Sequence, residues 1–67
     1  MVVRNNLKSY RHKHEMNQKE FAVFLDINHR QYNQYELQKI QPDWENAFKI
    51  CHKLGITLNE LIEEAPD

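Results

Sequence analysis

Apolar residues recur along the chain at spacings of three and four between short polar stretches, a pattern of helices rather than sheets. Asn5 or Asn6 is placed to cap a first helix, in which Leu7, Tyr10, Arg11 and His14 follow at helical spacing and which Met16 closes. Asn17-Gln18-Lys19-Glu20 is a sharper start signal, because an Asn at the cap and a Glu three residues on can satisfy two orphan backbone N–H groups reciprocally. Met16 and Phe21 occupy the positions of a hydrophobic staple around that cap, and Phe21, Ala22, Phe24 and Leu25 give the second helix one apolar face. This helix is expected to stop near Asp26. Asn28 then caps a third helix from about His29 to Gln38, with Tyr32 and Tyr35 turned inward and Leu37 a further candidate. Pro42 biases Gln41 away from helical geometry, so Lys39 to Gln41 form a loop. Asp43 caps a fourth helix whose stripe is Trp44, Ala47, Phe48, Ile50, Cys51 and Leu54, stopped by Gly55. Thr57, with Glu60 three residues on, caps a short fifth helix carrying Leu58, Leu61 and Ile62, and the tail from Glu63 to Asp67 is expected to fray.

The expected fold is therefore all-α, a compact five-helix bundle in one domain spanning residues 1–67, with its ordered core about 5–62. A chain of 67 residues buries only about 60% of its unfolded surface, so a small core and no deep catalytic cleft are expected. Phe21, Phe24, Tyr32, Tyr35, Trp44 and Phe48 are assigned to that core, with Phe24 and Phe48 the two that could instead meet a partner. The single Cys51 forms no internal disulfide, which favours a reducing, cytoplasmic setting, and fits a buried inert thiol on the fourth helix. The longest apolar run, Phe21 to Leu25, is far too short to span a membrane, and Met1 to Asn6 has no signal-peptide core.

Metal and catalytic chemistry find little support. His12 and His14 diverge on a helix, and His52 beside Cys51 has no second Cys, so no metal site and no cofactor are expected. There is no glycine-rich phosphate loop and no Ser/His/Asp order, and Glu63-Glu64 is a carboxylate pair in sequence only, so the chain is not expected to be an enzyme. The net charge of −1 is unevenly spread. Arg4, Lys8, Arg11, Lys13, Lys19, Arg30 and Lys39 outnumber the acids before residue 43, whereas Asp43, Glu45, Glu60, Glu63, Glu64 and Asp67 dominate the rest.

Two helices joined by a turn of about three residues, the second polar on its outer face, make a helix-turn-helix. Ala22 is small enough for close approach of the two helices, Asp26 tolerates the positive φ that a sharp turn requires, and Tyr32 and Tyr35 supply the inner face. His29, Arg30, Gln31, Asn33 and Gln34 are all capable donors, with no carboxylate before Glu36, which suits a polyanion.

These segments, Asn17 to Ala22, Leu25 to Asn28, Tyr32 to Glu36 and Pro42, followed by Ile50 to Leu61, resemble the phage repressor/Cro family of helix-turn-helix regulators, also called the xenobiotic response element family. The resemblance covers roughly residues 5–62 and implies a lambda-repressor-like fold and a sequence-specific DNA-binding regulator, with repression the simplest mode. It implies base contacts from His29, Arg30 and Gln34 in the major groove. Gln18 matches a position that holds a phosphate and braces the recognition helix, and Asn17 lies beside it as the cap. Asn28, Gln31, Asn33 and Lys39 match positions near the sugar-phosphate backbone, and Arg11 and Glu36 a buried ion pair. Asp26 and Gln38 stand where the family often has Gly. A domain this small reads few base pairs, so the implied partner is double-stranded DNA carrying a palindromic operator, bound by a homodimer with half-sites ~34–36 Å apart. The fifth helix, with Leu58, Leu61 and Ile62, is the candidate dimer contact. The alternative, favoured by the net charge, is a protein-interaction module on the same fold, such as an antitoxin-like or non-DNA-binding partner domain.

Overall fold

The computed structural model describes residues 2–65. In chain order it contains β1 (Val2–Asn5), α1 (Leu7–Lys13), α2 (Gln18–Leu25), α3 (His29–Glu36), α4 (Trp44–Leu54), α5 (Leu58–Leu61) and β2 (Ile62–Ala65). The five helices begin where local capping chemistry puts them. Asn17 and Glu20 form a reciprocal capping box on α2, and Thr57 and Glu60 form another on α5. The Asn28 side chain accepts from the backbone N–H of Arg30 and Gln31, and that of Asp43 from Asn46. At α1, the choice between Asn5 and Asn6 resolves into a division of labour. Asn6 is the cap residue but makes no side-chain cap bond, while Asn5 Oδ1 accepts from the Leu7 N–H at 3.1 Å. Gly55 ends α4 with φ +67°, a left-handed conformation that costs glycine nothing. Helix α3 ends at Glu36, two residues earlier than expected, because Gln38 adopts φ 61° and cannot continue it.

The expectation of an all-α chain needs correcting. β1 and β2 pair antiparallel in the register Val2↔Ala65, Val3↔Glu64, Arg4↔Glu63 and Asn5↔Ile62. Ile62 leaves α5 with extended backbone, and Glu63 to Ala65, expected to fray, complete the second strand; Pro66 and Asp67 lie outside the described residues. The Asn6 N–H donates to Leu61 O at 2.9 Å, extending the join between the two ends. Arg4 lies across from Glu63 at 3.7 Å, an exposed pair that contributes little by itself.

The core is built from Leu7, Phe21, Ala22, Leu25, Ile27, Tyr32, Tyr35, Ala47, Ile50, Cys51 and Leu61. Phe21 meets Tyr32 edge to face at 5.8 Å and stacks on the partly buried Phe24 at 5.9 Å. Trp44 and Phe48, assigned to the core from their spacing, are instead 67% and 63% exposed and stack on one another at 6.1 Å. The buried stripe of α4 is Ala47, Ile50 and Cys51 with Leu54 at its edge, and Trp44 and Phe48 lie on one flank of it, beyond what so small a core covers. Leu37 is likewise exposed.

Candidate nucleic-acid interface

The α2–α3 turn is held at both ends of its bend. Ala22, 1% exposed, lies where the helices pack, and its carbonyl accepts from the Ile27 N–H at 2.9 Å. Asp26 takes the left-handed conformation, φ 59°. Its backbone carbonyl accepts from Lys49 Nζ of α4 at 3.1 Å, and its carboxylate lies 3.7 Å from the same ammonium. An Asp therefore provides at this turn a tie to α4 that a Gly could not provide through a side chain.

Tyr32 and Tyr35 bury one side of α3. On a helix of 3.6 residues per turn, Arg30, Asn33, Gln34 and Leu37 fall opposite that stripe, with His29 and Gln31 on its flanks. His29, Arg30 and Gln31 are exposed; Asn33 and Gln34 are half-buried. Asn17 and Asn28 commit their side-chain oxygens to capping. Their amide NH2 groups have no partner among the described residues.

Behind this surface lies a connected polar network. Arg11 donates to Glu36 through Nε at 2.7 Å and Nη2 at 3.1 Å, a bidentate pair whose side chains are only 15% and 3% exposed. The Tyr32 hydroxyl also donates to Glu36, and Gln18 Nε2 donates to its Oε1 at 3.1 Å. Gln18 Oε1 in turn accepts from Asn33 Nδ2 at 3.0 Å. Burial pushes the Glu36 carboxyl up, but hydrogen bonds from Arg11, Tyr32 and Gln18 outweigh it and hold the group below the usual carboxylate range. The hydrogen bond to Glu36 likewise raises Arg11, and burial first and Glu36 second raise the Tyr32 hydroxyl. The one carboxylate of α3 is thus neutralised from behind. The network fixes Gln18 and Asn33 side by side, joining α2 to α3.

The loop after α3 is held by Asn5, Gln38 and Gln41, which nothing in the sequence brings together. Asn5, 2% exposed, donates through Nδ2 to Tyr35 O and to Gln41 Oε1, both at 2.8 Å. Gln38 brackets the same residue, its Oε1 accepting from Asn5 N–H and its Nε2 donating to Asn5 O, each at 3.0 Å. Gln41 Nε2 closes the cluster on Gln38 Oε1 at 2.9 Å. The departure from Gly at Gln38 was the only sequence signal for this cluster. Lys39 projects from the loop it fixes and is exposed.

No described helix is long and apolar enough to cross a membrane, and no three His, Cys, Asp or Glu side chains cluster among the described residues. A family model of helix-turn-helix domains, the Cro/C1 type of the xenobiotic response element family, matches residues 7–61. No curated protein matches the chain.

Proposed function

The chain belongs to this helix-turn-helix family of DNA-binding regulators, and from that premise we propose that it is a sequence-specific repressor that lays α3 in the major groove and occludes a promoter. The observation that carries the reading is the outer surface of α3, where exposed His29, Arg30 and Gln31 adjoin Asn33 and Gln34 and the only carboxylate is turned inward to Arg11. Arg30 is the residue for a bidentate contact to guanine, Gln34 suits adenine, and His29 can donate or accept. Gln18, Gln31, Asn33 and Lys39, with the amides of Asn17 and Asn28, would meet phosphates, which set register without carrying sequence information. An eight-residue recognition helix reads few base pairs. The operator is therefore a palindrome read by two copies. In this reading the chain acts by binding rather than by catalysis, in the cytoplasmic compartment that its unpaired cysteine favours.

The test is a fluorescence-anisotropy titration against a random duplex pool at two salt concentrations, followed by selection of preferred sequences. Binding that weakens steeply with salt and enriches a two-fold symmetric sequence is the expected result. Absence of binding even at low salt would sink the proposal in favour of a protein-interaction module on the same fold.

A further inference from the structure

We infer that Asn5 is a positioning residue for DNA binding: it fixes the loop after α3 and, through that loop, holds the Lys39 ammonium where it meets a phosphate. The inference rests on the DNA-reading proposal and adds to it a residue from the other end of the chain. Asn5 is 2% exposed, so it acts only through what it holds.

Residues 37–41 have no buried apolar side chain to anchor them. Leu37 and Ile40 are exposed, as are Gln38 and Lys39, and Gln41 is half-buried. The backbone closes the last turn of α3 by itself: Leu37 N–H donates to Asn33 O, Gln38 N–H to Tyr35 O and Lys39 N–H to Gln34 O, at 3.0, 3.0 and 3.1 Å. Beyond that turn the chain pivots at Gln38, whose φ of 61° disfavours any residue but glycine. Asn5 fixes the pivot. Its N–H and C=O both meet the Gln38 side-chain amide, its Nδ2 donates to Tyr35 O and Gln41 Oε1, and its Oδ1 accepts from Leu7 N–H. Every polar atom of Asn5 is thus engaged, and all but Oδ1 act on α3 or its loop. Asn5 is itself held, since it pairs with Ile62 at the end of β1 and the next residue donates to Leu61 O. The loop therefore takes its rigidity from the terminal strands rather than from the core.

Lys39 is the only charged residue of residues 37–41, and it makes no ion pair among the described residues. A lysine binds phosphate as a point charge on a flexible stem, so the backbone from which the stem starts decides whether the charge arrives in place. A loop released from Asn5 would have to be ordered on binding, which subtracts from the affinity. Base reading is spared. Tyr32 and Tyr35 keep α3 in the core, and Tyr35 O retains the Gln38 N–H when Asn5 is replaced. A phosphate contact carries no sequence information, so its loss is uniform over sequences and depends on salt.

The test is anisotropy with the full chain on the selected operator and on a random duplex, at ~50 and ~200 mM salt, where circular dichroism shows each variant folded. Asn5→Ala, Gln38→Gly and Lys39→Ala should each weaken both duplexes by the same factor, about tenfold at the lower salt and threefold at the higher, because one lost phosphate contact flattens the log–log salt slope by ~0.9. Gln38→Gly keeps the left-handed turn while removing the bracket, so it carries the test if Asn5→Ala does not fold. Either change combined with Lys39→Ala should bind within about twofold of Lys39→Ala alone. Leu54→Ala, a partly buried position at the far end of α4 from this loop, should bind as the wild type does once folded. Full affinity in the variant that tests Asn5, a loss that differs between sequences, an unchanged salt slope, additive loss with Lys39→Ala, or an equal loss in Leu54→Ala would each overturn the inference and leave the DNA reading standing. A wild-type chain that binds no duplex would overturn both.

Discussion

Replacing Glu36 by Gln keeps the shape of the side chain and removes the charge on which four hydrogen bonds converge. The Arg11 guanidinium is then left with a neutral partner at a site where its side chain is 15% exposed. Breaking a buried ion pair from one side costs about 3–5 kcal/mol. Partial hydration of Arg11 argues for the lower end, about 3 kcal/mol. A chain of this length has only about 3–10 kcal/mol of total stability. The variant should therefore lose a third or more of it, with a midpoint temperature roughly 10–20 °C lower. Urea unfolding followed by circular dichroism measures the loss. Removing both charges, as Arg11→Met with Glu36→Leu, should recover only part of it, because the Tyr32 hydroxyl loses its partner, at a cost of about 1–3 kcal/mol. Adding Tyr32→Phe should restore that remainder. The pH dependence is a second constraint. Glu36 has its pKa lowered on folding, so its contribution is complete above the unfolded carboxylate pKa of about 4.3 and fades as pH falls through the lower folded value. The gap between wild type and Glu36→Gln should accordingly close in acid. A gap under about 1 kcal/mol at neutral pH, or one that does not narrow as the solution is acidified, would refute the account of Glu36 as the charged centre of this network.

Four further outcomes follow from single positions. Arg30→Ala should lose about 1–3 kcal/mol of affinity on the selected operator, measured by competition against sequence variants; an equal loss on every sequence would make Arg30 a phosphate contact. Glu15 is exposed with φ 54°, so Glu15→Gly should raise stability by about 0.5–1 kcal/mol in urea unfolding. Gln38→Gly, at φ 61°, should gain nothing or lose stability, because the same change removes the bracket on Asn5. Cys51 is buried and its thiol is pushed up by burial, so a disulfide reagent at neutral pH should label it only as fast as the chain opens; prompt labelling of the folded protein would contradict that.

What could be read from the sequence was local or depended on a resemblance. The capping boxes at Asn17/Glu20 and Thr57/Glu60 span four residues each, so their chemistry is complete in the sequence and the structure reproduces it. The Arg11–Glu36 pair crosses 25 positions and was expected only through the family resemblance. The strands were missed because Val2–Asn5 and Ile62–Ala65 are four residues each, and what makes them strands is the opposite end of the chain. Trp44 and Phe48 were misplaced because helical spacing shows which side chains share a stripe, not how far a small core extends across it. Asp26 and Gln38 were noticed as departures from Gly. For Gln38 the reason is the backbone of Asn5, 33 positions away in the chain; Asp26 gains through its side chain only an exposed contact with the ammonium of Lys49, which contributes little.

The join between β1 and β2 also bears on the order in which the chain folds. Closing a loop of about 60 residues costs roughly 3.5 kcal/mol plus a constant if the ends meet before anything else has formed. Helices that dock on near neighbours shorten that loop first, so the strands are expected to zip after the rate-limiting step. Substitutions in β1 or β2 should then leave the refolding rate almost untouched and appear as faster unfolding. A clasp of four residue pairs would thus set how long the folded domain lasts rather than how quickly it appears.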